Sequence, residues 1–118
     1  MMKLFIAFLL SLTFCGSSFA QEKEEELLGP DNWPTTVSAT VADLLSTLSA
    51  ADKEAIRSTK KDDLIRYHHG WGTGIRNHYG LWRGNRTLIE DACHEPCHPD
   101  TASNRIIEAV WQALQDEG

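Results

Sequence analysis

Apolar positions Val37, Val41, Leu44, Leu45 and Leu48 recur at spacings of three and four, the signature of one buried helix face. This spacing predicts a first helix over about 35–48. Ser49 stands three residues ahead of Asp52, a variant of the capping box, and predicts a short second helix through Ile56. Asp62 and Asp63 place negative charge where a helix N-terminus favours it, and Leu64, His68, Trp71 and Ile75 follow at helical spacing. A third, central helix is expected there, capped at its C-terminus by Gly80. Gly84-Asn85 reads as a turn and cap for a short fourth helix over 87–92. His98-Pro99-Asp100 then restarts the chain, with Asp100 as the expected cap of a last helix carrying Ile106, Ile107, Val110, Trp111 and Leu114 as a broad apolar stripe. No segment alternates with period two. The expected fold is therefore all-α, a single compact bundle of about five short helices over 33–116.

Upstream the pattern is different. Residues 1–20 carry Lys3, an apolar run from Leu4 to Phe14 and the small-residue ending Ser18-Phe19-Ala20, which together read as a secretory signal peptide cleaved after Ala20. The run is shorter than a membrane span needs, and a polar QEKEEE follows it. Lipidation at Cys15 is the alternative, opposed by the bulk of Phe14 just before it. Residues 21–32 are expected to form an acidic flexible tether, broken at Gly29-Pro30-Asp31. The mature chain is thus expected to be exported, periplasmic or secreted, without stable membrane insertion after cleavage.

Composition narrows the classes of partner. The 118 residues hold 11 Lys and Arg against 17 Asp and Glu, a formal charge of −6, and the pI is about 5.2. That balance argues against nucleic acid, whose backbone rewards a basic face.

The segments LSAADKEAIR, DDLIRYHHGWGTGIRNHYGLWRGN and HPDTASNRIIEAVWQAL, in that order, resemble a family of small bacterial domains of unknown function over about 33–115. The resemblance implies a bacterial exported domain of compact helical form and no particular chemistry. Where such domains tend to read HPDDAS, this chain has Thr101 in place of the second acid.

The densest segment runs from His68 to Asn85. Numbered as one continuous helix, Leu64, His68, Trp71, Ile75 and His78 share an inward stripe, and Ile65, His69, Gly72, Arg76 and Tyr79 the adjacent one. Gly72, lacking a side chain, would leave a notch between His69 and Arg76, and an Arg fork beside an imidazole suits a carboxylate or phosphate. The plainer reading is that Gly70 and Gly74 admit a closely packed helix, with Trp71, Trp82 and Trp111 in the core. His69, Arg76, Asn77, Tyr79, Trp82 and Arg83 are the candidate binding residues of a non-catalytic module taking an unknown protein or a small anionic ligand. A small hydrolase or transferase using His68 or His69 with Arg76 is the rival, although spacing identifies no nucleophile for it.

CHEPCH, residues 93–98, offers several readings. His94-Glu95-Pro96-Cys97-His98 matches H-E-x-x-H, but Pro96 and Pro99 deny it the helix that would bring the two imidazoles together. Cys93-x-x-x-Cys97-His98 is one residue longer than a haem-attachment motif. Zinc held by Cys93, Cys97 and His98 would need a distant fourth ligand. Export favours a Cys93–Cys97 disulfide. No cofactor, metal or catalytic residue is assigned. Asn85-Arg86-Thr87 also forms a glycosylation sequon, which the capping role of Asn85 explains.

Overall fold

The computed structural model describes residues 28–117. The expected signal peptide and most of the expected tether lie outside the described residues. Five α-helices follow one another: α1 Val37–Thr47, α2 Ala50–Arg57, α3 Trp71–His78, α4 Arg86–Cys93 and α5 Pro99–Glu117. Two 3-10 segments, Pro30–Asn32 and Lys61–Tyr67, complete the order, and the described residues contain no strand.

Helix ends form where the side chains supply caps. Thr36 accepts the Ala39 N–H, Ser49 the Asp52 N–H and Asn85 the Leu88 N–H, each satisfying a donor that the helix itself leaves open. Gly80, at φ 75, closes α3 as expected, with the Leu81 N–H reaching back to the Arg76 carbonyl at 3.1 Å. Its hydrogen faces the Trp33 ring so closely that a Cβ would lie 2.2 Å from Trp33 Cε2. The five residues Leu28–Asn32, expected as the end of the tether, hold a 3-10 turn, and Leu28 packs against the core.

Helix α5 is the central post. It touches α1, α2, α3, α4 and the 3-10 segment Lys61–Tyr67. Its Ala102, Ile106, Ile107, Val110 and Leu114 are buried, and with them lie Leu44, Ile56, Leu64, Ile75 and Leu88 from the other elements. The expected stripe is correct except for Trp111, which is only partly buried and donates its indole N–H to the Thr59 carbonyl at 2.8 Å. Asp100 is not the cap of this helix. Pro99 opens it, the Ala102 N–H bonds to the His98 carbonyl, and His98 Nδ1 accepts the Asp100 N–H at 3.0 Å. His98 therefore caps, with proline at the first helical position, where its missing N–H costs nothing.

The expected continuous third helix is two elements. Lys61–Tyr67 winds as a 3-10 helix, residues 68–70 turn, and Gly70 at φ −95, ψ −81 lies outside the helical well before α3 begins at Trp71. Three glycines within five positions weaken helix propagation enough for packing to choose the break. The stripes counted across it therefore do not survive: Ile65 is 64% exposed, whereas Gly72, Arg76 and Tyr79 are buried.

Candidate functional site

Arg76 points inward and is 6% exposed. Its Nη1 donates to the Ser103 hydroxyl at 2.8 Å, its Nη2 to the Thr73 hydroxyl at 3.0 Å and the His68 carbonyl at 3.2 Å, and its Nε faces Asp100 at 3.4 Å. Four groups of the chain thus take up the guanidinium, leaving it no free fork for a ligand. The notch expected at Gly72 is filled. A Cβ there would lie 3.1 Å from Arg76 Nη1 and 3.2 Å from the Tyr67 carbonyl. Arg76 fastens α3 to the first turn of α5, and Asp100 is its counter-charge.

His68, the other proton-handling candidate, belongs to the same junction. Its Nδ1 meets Asn104 Oδ1 at 3.1 Å and its Nε2 faces Asp100 at 3.7 Å, so both ring nitrogens are engaged by the protein. The one hydroxyl on the far side of this cluster, Ser103, is fully buried and donates to the Asp100 carbonyl. The other hydroxyl of the cluster, Thr73, is exposed but donates to the His69 carbonyl at 2.6 Å, so neither hydroxyl is paired with the His68 imidazole as a hydrolase built on His68 and Arg76 would require. His69 is exposed and stands edge-on to His68 with ring centroids 4.9 Å apart.

Tyr79 is also internal, 1% exposed, and its hydroxyl donates to Asp43 at 2.5 Å. Burial first, and the adjacent Asp43 carboxylate second, push its phenol well above the ordinary range. Asn77 and Arg83 meet each other: Arg83 Nη2 donates to the Asn77 carbonyl at 2.7 Å and Nη1 to the Leu28 carbonyl at 3.2 Å, with the guanidinium 5.2 Å from the Trp33 ring centre. Arg83 thus pins the N-terminal turn onto the domain. Asn85 caps α4 while its amide donates to the carbonyls of Pro34 and Tyr79. At 4% exposure, its sequon is a structural joint.

Trp82 alone of the candidates lies open as a large aromatic surface, 55% exposed. Its ring stands edge-on to His98, centroids 5.3 Å apart. Beside it runs a groove of about 550 Å³ walled by Leu81, Ile89, Pro96, Cys97 and Pro99, with Arg86 and Glu90 among its lining residues. Cys93 and Cys97 are joined as a disulfide, which fixes the loop forming this wall. Their sulfurs are consequently unavailable to the zinc and haem readings. Helix α4 ends at Cys93 and His94 is left-handed at φ 63, so His94 and His98 do not share the helix that H-E-x-x-H requires. Among the described residues no group of three or more His, Cys, Asp or Glu is placed to hold a metal ion, and no helix is long and apolar enough to cross a membrane.

The structure therefore divides the six candidates. Arg76 and Tyr79 are joints of the interior, Asn77 and Arg83 form a surface clamp, His69 stands apart, and Trp82 faces a groove. Sequence reasoning missed that groove. Its walls come from the turn after α3, from α4 and from the disulfide loop, all within residues 81–99, and the turns that bring these segments together leave no periodic signal in the sequence.

No curated protein and no solved structure matches the chain. The family model described as "Domain of unknown function (DUF6794)" matches residues 33–114, a span running from Trp33 at the N-terminal clamp to the last buried leucine of α5, and the protein belongs to that family.

Proposed function

We propose that this domain is an exported, non-catalytic binding module that takes an apolar side chain of a partner protein in the groove beside Trp82. The observation supporting it is the pairing of a half-open tryptophan with apolar walls on a rigid frame. Tryptophan is enriched among the few residues that dominate binding energy, and a preformed wall avoids the entropy of ordering a loop. Arg86 and Glu90 give the partner one charge of each sign to align against. Export rests on the reading of residues 1–20 and agrees with a disulfide, which persists in oxidising compartments.

The test places a photo-crosslinking residue at Arg86 and compares the envelope fractions of cells carrying the otherwise native protein, Trp82→Ala and Ile65→Ala. A discrete adduct that Trp82→Ala abolishes and Ile65→Ala keeps is expected. An adduct indifferent to Trp82→Ala, or none at all, overturns the reading.

A further inference from the structure

A second concavity lies between α2 and the start of α3, away from the residues that wall the Trp82 groove. It measures about 230 Å³ and is lined by Leu48, Asp52, Ala55, Ile56, Tyr67 and Trp71. The rings of Tyr67 and Trp71 stand at 86° to one another with centroids 5.8 Å apart, so they make two perpendicular aromatic walls. Leu48 and Ile56 contribute apolar surface, and the exposed Asp52 brings a carboxylate to the rim.

Each wall is held in place. Tyr67 ends the 3-10 helix, and its hydroxyl meets the Thr59 hydroxyl at 3.2 Å. Trp71 opens α3 directly after the Gly70 break. The backbone of Asp52 is set by the cap of α2, its N–H donating to Ser49 Oγ at 3.0 Å. The break that sequence periodicity missed is what turns Trp71 across Tyr67.

We propose that this aromatic corner binds a small quaternary ammonium group. Aromatic faces carry partial negative charge, so two rings at right angles attract a diffuse cation from two sides. A methylated ammonium holds its water loosely and presents an apolar surface that suits Leu48 and Ile56. The Asp52 carboxylate adds a counter-charge at the mouth. The formal charge of −6 on the whole chain favours the approach of cations over anions. A primary ammonium would pay more to leave water, and an anion would meet both Asp52 and the ring faces.

Choline chloride is the probe, with 3,3-dimethylbutanol as its neutral isostere. The readout is the backbone amide N–H resonance of Ile56, which lines the same corner, in the purified protein, titrated at low salt. Choline is expected to shift that resonance saturably in the millimolar range, with the isostere about tenfold weaker. Asp52→Asn, an exposed change that spares the fold, is expected to weaken choline about threefold, whereas Glu95→Gln on the disulfide loop has no effect. Trp71→Leu is expected to abolish binding; the Asp52 variant keeps the test valid if that protein fails to fold. Trp82→Ala should leave the choline titration unchanged, which separates this site from the partner groove. Sedimentation with phosphatidylcholine vesicles, competed by free choline, would assign the cation to a lipid headgroup; binding of choline without vesicle binding would assign it to a free solute. Equal affinity for the neutral isostere, or choline shifts indifferent to both Asp52→Asn and Trp71→Leu, overturns the proposal.

Discussion

Arg76 Nη1 and the Ser103 hydroxyl meet at 2.8 Å inside the protein, one from α3 and the other from the first turns of α5. A guanidinium buried in this way is a structural joint. Removing it strands Asp100 without its counter-charge and leaves the Ser103, Thr73 and His68 acceptors short of a donor. Arg76→Ala is expected to lower stability by about 3 kcal/mol, read from urea unfolding midpoints. Arg76→Met, which keeps the volume, should recover part of that loss.

Tyr79 ties α3 to Asp43 of α1 through its buried hydroxyl. Because its phenol is held above the ordinary value of 10.0, the folded state keeps a proton that the unfolded chain releases. The stabilisation is complete below pH 10 and is lost as pH climbs from there toward the folded value. Wild type should therefore lose stability on the alkaline side more steeply than Tyr79→Phe. At neutral pH, Tyr79→Phe is expected to cost about 1 kcal/mol, and Tm measured from pH 7 to 11 checks both statements.

The glycines separate by what faces them. Gly80→Ala combines a left-handed backbone, φ 75, with a Cβ driven into the Trp33 ring, and should cost more than about 2 kcal/mol. Gly84→Ala, at φ 105 but with open space around it, should cost only about 1 kcal/mol. Gly74 lies within α3 and nothing stands within 4 Å of an added Cβ. Gly74→Ala is accordingly expected to stabilise the domain by up to about 1 kcal/mol. A thermal melt of each variant decides the order.

Reducing the Cys93–Cys97 bridge opens a loop with a sequence separation of 4. So short a loop removes little entropy from the unfolded chain, and the expected loss is about 2 kcal/mol. Urea unfolding with and without reductant measures it. Intact mass after alkylation should show two thiols that react only once reduced.

The helices were legible in the sequence where local chemistry and packing agree. The apolar spacing of α1, Ser49 ahead of Asp52, Gly80, and Asn85 each marked a feature that the structure keeps. The failures share a cause. A continuous helix from Asp62 to His78 satisfied the periodicity, but glycine at 70, 72 and 74 made helix and turn close in energy, and contact with α5 settled the matter. Once the axis changed at Gly70, Arg76 and Tyr79 moved from the expected binding face to the interior. Arg76 also shows why composition misled: a guanidinium reads as a ligand fork until its counter-charge, Asp100, is brought from 24 residues away by the fold. Gly70 and Gly74, expected to admit a close helix, face open space.

The position of α5 in the chain also governs timing. Its apolar stripe is the shared surface of the other helices, and it is the last part of the domain to leave the ribosome. Until Ile106, Ile107, Val110 and Leu114 have been made, Leu44, Ile56, Leu64, Ile75 and Leu88 lack the wall they pack against. A nascent chain holding only α1 to α4 stays open, because short helices without tertiary support are marginal in water. Under the export proposed above, that delay would act as a built-in safeguard against folding before the chain has threaded a translocation channel.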